Sequence, residues 1–396
     1  MTDADLQVFP MPRTDPLLPP PGYAALRQGP PCKVRLPLGS EPWLLTRHAD
    51  VRAALADPRL SADSRNPDLP QVVPLPPGPS RVSFLRMDDP EHGVLRRMLT
   101  PEFTLRRIQE QRPGIRKTVD ALLDAIDRGS PPVDFIDTFA LPLPSLVICT
   151  MLGVPYADHD FFQAQSKIIA SGTDSPQEIA AAYGELSAYL DRLSAEKART
   201  PGDDLLSQVA GRYVTSGELS VEELSSMARL LLVAGHDTTA NMIGLAVLTL
   251  LRNPDQLEAL RRDPGLMRSA VDELLRYLSV SQSGMVRVAV DDLVIGGQRI
   301  ARGEGVVFAL PSANHDEAAF PHAERLDIRR DASSHVAFGH GIHQCLGKSL
   351  ARVEMETALS ALIERFPDLR LAVPFDELSF RFDSFVYGLY ELPLSW

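Results

Sequence analysis

Between residues 88 and 280 apolar side chains return every three to four positions, the period of helices that bury one face. Helices are predicted at about 105–128, 138–153, 157–171, 175–198 and 266–279. Asp88-Asp89-Pro90-Glu91 opens another, with acid and proline in its first turn, and places His92 and Arg96 one turn apart. The longest helix starts at Ser220, where Ser220-x-x-Glu223 forms a capping box, and ends near Asn253-Pro254. At about 1.5 Å per residue it is close to 50 Å long. It is apolar almost throughout, except for Gly235-His236-Asp237-Thr238-Thr239-Ala240-Asn241 at its centre. A carboxylate at mid-bilayer is costly, so the segment reads as a helix buried in a protein core.

Outside that region the pattern changes. Half of the 34 prolines precede residue 80. Strands at Lys33–Leu38 and Trp43–Thr46 flank a turn at Gly39-Ser40, and a short helix from Val51 stops at Pro58. Residues 64–80 carry too many prolines for helix or central strand and read as a loop of lid length. Strands are expected within 285–309, turning at Gly296-Gly297; an irregular stretch from Asn314 to Ser334 follows. A helix is expected beyond Gly347, reaching about Arg365, before short closing strands. The fold class is mainly α with minor, segregated β: β-rich over 1–60, helical over 88–280 and 346–365. With no repeat and no linker, the whole of 1–396 reads as one domain.

Composition narrows the class of protein. A chain of 396 residues buries a large core unaided. Its net charge of −12 argues against nucleic acid as a partner. Cys32, Cys149 and Cys345 are scattered and suit a reducing compartment. The acidic, Pro-rich start lacks the form of a signal peptide, so a soluble, cytoplasmic protein is expected.

The chemistry centres on Cys345, which lies among Gly339, Gly341 and Gly347 just before a helix. A helix N-terminus favours thiolate over thiol, giving a nucleophile or a metal ligand. Zinc held by His335, His340, His343 and Cys345 crowds four ligands onto one loop without the usual spacing. A nucleophilic cysteine with His343 as base leaves the polar centre of the long helix unexplained. A haem thiolate uses both features: sulfur takes one face of the iron, and the other face needs a cavity for dioxygen. No C-x-x-C-H is present, so haem would be held without covalent attachment. Cys32 and Cys149 read as structural.

Phe338-Gly339-His340-Gly341-Ile342-His343-Gln344-Cys345-Leu346-Gly347 resembles the haem-binding signature of the cytochrome P450 superfamily at every defining position. Ala234-Gly235-His236-Asp237-Thr238-Thr239 is similar to that family's oxygen-activating motif, and Glu273-Leu274-Leu275-Arg276 to its E-x-x-R. The resemblance covers nearly the whole chain and is greatest to soluble actinobacterial members that tailor polyketides, terpenoids and xenobiotics. It implies the cytochrome P450 fold, with haem b between the long central helix and the cysteine-loop helix. Cys345 is then the thiolate ligand, favouring O–O cleavage, with Phe338 beside it and Gly347 after it. Ala234 and Gly235 make room for dioxygen, and Asp237 and Thr238 deliver protons. His92, Arg96, Arg287 and His343 match positions that hold the haem propionates. Glu273, Arg276 and Arg325 match a buried ion network. Val233, Val286 and Val386 match substrate-lining positions. Arg97, Arg106, Arg107, Lys348 and Arg352 suit docking of an acidic ferredoxin, which with its NAD(P)H reductase supplies electrons, because the chain carries no flavin or nicotinamide motif. The implied activity is monooxygenation of a small hydrophobic molecule by a monomer, with neither membrane nor nucleic acid as partner. A non-catalytic haem protein, such as a gas sensor or carrier, is the second reading.

Overall fold

The capping box that opens the long helix forms as its sequence dictates. Glu223 N donates to Ser220 Oγ at 3.1 Å, and Ser220 N donates back to the Glu223 carboxylate at 2.8 Å. From there the helix runs unbroken over Val221–Arg252, 32 residues. In the computed structural model, which describes residues 6–72, 83–170, 175–282, 285–382 and 384–396, two compact units divide the chain. Of the Pro-rich segment expected to form a lid, 64–80, residues 73–80 lie outside the described residues, and 64–72 contain neither helix nor strand.

One unit contains residues 1–94, 253–348 and 382–387. Its frame is a five-stranded sheet in the spatial order Cys32–Lys33, Trp43–Leu45, Gly305–Phe308, Val286–Ala289, Leu60–Ser61. Trp43–Leu45 runs parallel to Gly305–Phe308, and the other pairings are antiparallel. All four residues of Val286–Ala289 are buried, as a central strand covered on both faces requires. One side chain cluster gathers Leu45, Val51, Leu55, Ile300, Phe308 and Val336; a second gathers Phe9, Tyr23, Val34, Val286 and Val307. The hairpin of Leu293–Ile295 and Gln298–Ile300 turns through Gly296 and Gly297, both with positive φ, as a two-residue loop demands. The short strands Lys33–Leu38 and Trp43–Thr46 of the sequence reading shrink to Cys32–Lys33 and Trp43–Leu45. The long helix ends at Arg252, as expected near Asn253-Pro254, and a separate helix, Pro254–Arg262, begins there with proline in its first turn.

The other unit contains residues 95–252, 349–381 and 388–396. It is mainly helical: Leu105–Asp127, Pro142–Leu152, His159–Ala170, Pro176–Arg199 and the long helix, with a three-stranded sheet of Val133–Asp134, Pro393–Ser395 and Arg370–Leu371. The most apolar window of the long helix is 67% buried in protein, which accounts for its hydropathy without a membrane. Helix Lys348–Arg365 ends where the sequence pattern ends. Its Glu354 is 2% exposed, and Oε2 has no hydrogen-bond partner among the described residues.

The ion network forms with one substitution of partner. Glu273 and Arg276 are fully buried and bonded in a two-pronged pair, Nε to Oε2 at 2.7 Å and Nη2 to Oε1 at 2.8 Å. The second guanidinium on Glu273 belongs to Arg330, Nε to Oε1 at 3.2 Å, and not to Arg325. The Arg325 side chain is exposed; its backbone carbonyl instead accepts from Arg276 and Arg330. An arginine that participates through its carbonyl can be replaced without touching the network. Arg330→Ala is therefore expected to cost about 2 kcal/mol in chemical denaturation, and Arg325→Ala close to nothing.

Burial raises the Glu354 carboxyl to about 8 from its ordinary 4.5. Between those values the folded protein holds a proton that the unfolded chain has lost, so this residue makes stability fall as pH rises, levelling off above about pH 8. Glu354→Gln removes that fall. By about pH 8 the variant should gain on the order of 4 kcal/mol over its advantage at pH 4.5, read from denaturation midpoints across the range.

Candidate active site

The cysteine loop is built from backbone constraints before any side chain acts. Gly339 N donates to Val336 O at 2.8 Å, and Cys345 N donates to Phe338 O at 2.9 Å, closing the loop on itself. Gly339 and Gly341 have φ of 68° and 73°, a region hostile to other residues. At Gly341 the requirement is doubled, because a Cβ there would lie 2.4 Å from Leu55 O. A Cβ on Gly347 would meet the Cys345 sulfur at 4.0 Å, an ordinary contact. Cys345 is exposed, three residues before helix Lys348–Arg365. Cys149, by contrast, is 1% exposed, and burial pushes its thiol up to about 12. Cys32 is half-buried and also raised by burial. The cysteine singled out in the sequence is thus the exposed one of the three.

The unit that holds the loop also holds His92, His343 and Arg287, whereas Arg96 belongs to the other. His343 lies in a single turn, Gly341–His343, and its ring meets that of buried His92 with centroids 4.2 Å apart. His92 also faces Asp89 across 3.3 Å. Arg96 is one helical turn beyond His92 in helix Glu91–Leu99. Arg287 is 6% exposed and donates Nη1 to Val286 O at 2.7 Å. Burial first, then the like charge of neighbouring Arg86, lower it to about 10 against the opposing pull of Asp88. Phe338 packs against the His335 ring. Sequence reasoning missed Arg86, which carries no motif of its own.

In the helical unit, the central helix opens where its motif lies. Ala234 is exposed and Val233, Gly235, Asp237 and Thr238 are half-buried, while residues 239–250 are buried without interruption. Thr238 Oγ1 donates to Ala234 O at 2.9 Å, the back-bond common to hydroxyls inside helices, which orients the hydroxyl and leaves its oxygen free to accept. Asp237 is held by two residues the sequence reading did not assign. Arg381 Nη1 and Asn241 Nδ2 both donate to Oδ1, each at 3.0 Å. Asn241 Nδ2 also donates to the Asp237 main-chain carbonyl at 2.8 Å. His236 is buried with Nδ1 on Leu232 O.

The substrate-lining candidates separate. Val233 borders the opening in the central helix. Val386 is buried beside Ser281, to which it is bridged as an isolated β pair. Val286 packs in the core around Phe9 and Tyr23, so its side chain fills the sheet's interior instead of lining a pocket. Among the basic residues assigned to partner docking, Arg106 pairs with Glu110, and Arg107 pairs with both Glu102 and Glu110. Lys348 donates to Gln344 at 2.6 Å. Among the described residues no group of three His, Cys, Asp or Glu could hold a metal ion, so the zinc reading has no donor set there.

A family model described as cytochrome P450 matches residues 265–371, the stretch containing both the Glu273–Arg276 pair and Cys345. Pentalenic acid synthase of Streptomyces avermitilis is 49% identical over 391 residues, covering 98% of this chain and 97% of that protein. Cytochrome P450-SU2 of Streptomyces griseolus is 48% identical, covering 94% and 92%. The chain belongs to the cytochrome P450 family. Among solved structures, the mycinamicin VIII C21 methyl hydroxylase MycCI of Micromonospora griseorubida, bound to mycinamicin VIII, superposes with a TM-score of 0.92 at 42% identity, covering 99% of this P450 and all of that chain.

The fold and class of this P450, a mainly helical monooxygenase acting on small molecules, follow from that membership. Family membership also implies a haem-thiolate cofactor, and the residues present fit one. An exposed cysteine on a rigid loop suits a ligand to iron. A buried guanidinium bonded only to its neighbour's carbonyl among the described residues suits a carboxylate such as a haem propionate. An alanine left exposed halfway along a core helix suits a flat apolar neighbour. Gly341→Ala, which adds both backbone strain and a clash, is expected to abolish soluble folded protein or leave it unable to take up haem. Gly347→Ala should stay folded with a perturbed absorbance spectrum. Yield and haem content per chain check both.

Proposed function

We propose that Cys345 ligates haem iron through its thiolate and that this P450 inserts one oxygen atom from O2 into an apolar secondary metabolite of the macrolide, polyketide or terpenoid class. The observation that carries the reading is the exposed Cys345 on a loop fixed by the Cys345–Phe338 backbone bond and by glycines at positive φ. Haem supplies the oxygen-activating chemistry; the protein supplies its placement and its protons. His92, Arg96, Arg287 and His343 hold the propionates, whose charges are expensive to bury without partners. Ala234 and Gly235 keep the oxygen side uncrowded, while Asp237 exchanges protons with solvent and Thr238 hands them on. Val233 and Val386 contact substrate, and Val286 is left to the core.

Substrate class rests on the relatives: one makes pentalenic acid, and another hydroxylates a methyl group of mycinamicin VIII. An acidic ferredoxin and its NAD(P)H reductase deliver the electrons. Arg97, Arg106, Arg107, Lys348 and Arg352 are the docking candidates, of which Arg106 and Arg107 pair with Glu110 on their own helix. The chain acts as a single cytochrome P450 domain, a soluble, cytoplasmic monomer.

The test is the absorbance spectrum of the reduced protein under carbon monoxide. Wild type should show the strongly red-shifted Soret band of a thiolate adduct, and Cys345→His should lose the shift while retaining pigment. A wild-type spectrum like that of a globin overturns the reading. Mycinamicin VIII and a sesquiterpene acid, added separately, should then be compared for the high-spin shift that marks a substrate. With the compound giving the larger shift, Thr238→Ala should release about tenfold more peroxide per NADPH.

A further inference from the structure

The carboxylate assigned to proton delivery is held in an unusual way for a side chain that must move protons. Both donors that reach Asp237 converge on one oxygen, Oδ1, and its main-chain carbonyl is also occupied. Among the described residues Oδ2 accepts no hydrogen bond. Asp237 is therefore fixed in rotamer with one oxygen tied and the other available.

The stronger of the two donors is the charged one, and it comes from far along the chain. The Arg381 side chain is 10% exposed and that of Asp237 18%, so solvent screens the pair only weakly. Arg381 is not a swinging surface arginine. Its backbone N donates to Gly388 O at 2.9 Å; Phe380 pairs with Leu389, and Tyr390 N donates to Ser379 O at 3.0 Å. These contacts make a short antiparallel ladder that fixes where the guanidinium starts. The ladder in turn is seated against the same turn of the central helix. A Cβ on Gly388 would fall 1.6 Å from Asn241 Oδ1, so no side chain fits there without displacing Asn241. Arg381 and Gly388 thus bracket the Asp237–Asn241 turn from one ladder.

We infer that Arg381 is a positioning residue for proton delivery: by holding Oδ1 of Asp237 it makes Oδ2 the oxygen that releases a proton inward and recovers one from solvent. Arg381 itself neither gains nor loses a proton. The inference rests on the proposed role of Asp237 and assigns a cause to its geometry.

The experiment uses the haem-loaded protein and the variants Arg381→Gln, Arg381→Lys, Asp237→Asn and the double variant Arg381→Gln with Asp237→Asn. Denaturation midpoints come first, because they need neither substrate nor turnover. If the pair interacts as described, the double variant is no less stable than Arg381→Gln alone; strictly additive losses overturn the inference. Turnover of the compound selected by its spin shift is then driven by NADPH through spinach ferredoxin and its reductase, in H2O and D2O. Arg381→Gln should lower product per NADPH about tenfold and raise the solvent isotope effect, with the substrate-induced spin shift unchanged and Arg381→Lys recovering most of the loss. A merely structural arginine would change stability and haem content but leave the isotope effect alone, and that result overturns the inference. Asp237→Asn separates the two levels. If it uncouples turnover while Arg381→Gln does not, the positioning role fails and the proton-delivery reading stands. If Asp237→Asn leaves coupling intact, the proton-delivery reading itself fails, and the inference with it.

Discussion

One fully buried ion pair underlies the cysteine loop. Arg276 and Glu273 are both inaccessible to water, and ions so placed are tolerable only when their remaining hydrogen-bonding capacity is used. It is used here on backbone. Arg276 donates to the carbonyls of Asn314 and Ala323, and Glu273 accepts from Asp327 N and Arg330. Asn314 then carries the constraint forward, since its Oδ1 accepts from Val336 N at 2.7 Å and its Nδ2 donates to Ser279. Val336 O receives Gly339 N, and Phe338 O receives Cys345 N. A continuous path of short hydrogen bonds leads from the pair to the cysteine. The pair's worth lies less in net stability, which hydrophobic packing supplies as well, than in fixing an irregular stretch that no helix or sheet organises.

This path explains why so much of the segment from Asn314 to Ser334 lacks regular structure without being loose. Its carbonyls are acceptors for two guanidiniums, so backbone groups that a helix would satisfy internally are satisfied by side chains. The price is strict dependence on Glu273: remove it and buried Arg276 and half-buried Arg330 lose their counter-charge together. The helical unit solves the analogous problem at Asp237 differently. There an arginine and an asparagine both donate to the same oxygen of a single carboxylate. In one case a carboxylate organises arginines to hold backbone; in the other an arginine and an asparagine fix the carboxylate proposed to deliver protons.

Much of this was legible in the sequence wherever the information was local. The run from Phe338 to Gly347 states its own turn chemistry, because glycines at left-handed positions and a cysteine before a helix need no distant partner to be recognised. The long helix announced itself by period, and its capping box by four residues. What escaped was long-range. Arg381 is 144 positions from Asp237, and no periodicity links them. Arg325 and Arg330 are five apart in an irregular stretch, where no repeating geometry says which side chain reaches Glu273; Arg325 is exposed and half-buried Arg330 makes the contact. Val286 failed for a related reason. An apolar residue at a strand end can serve a core or a pocket, and only the cluster around Phe9 decides that it serves the core.

The same distinction bears on how the site can vary. Loop glycines and the Glu273–Arg276 pair are fixed by local sterics and buried charge, so substitution there destroys the frame. Arg381, Gly388 and Asn241 meet through complementary shapes from two segments, and such a contact can be rebuilt by compensating changes on either side. A smaller residue at 241 would relieve the close approach at Gly388, and a different donor near residue 381 could still reach Oδ1. Positioning of Asp237 is therefore a degree of freedom that the cysteine loop does not have. The two candidate elements differ physically: the cysteine loop is over-determined by backbone, whereas the Asp237 carboxylate is set by the side chains of Arg381 and Asn241.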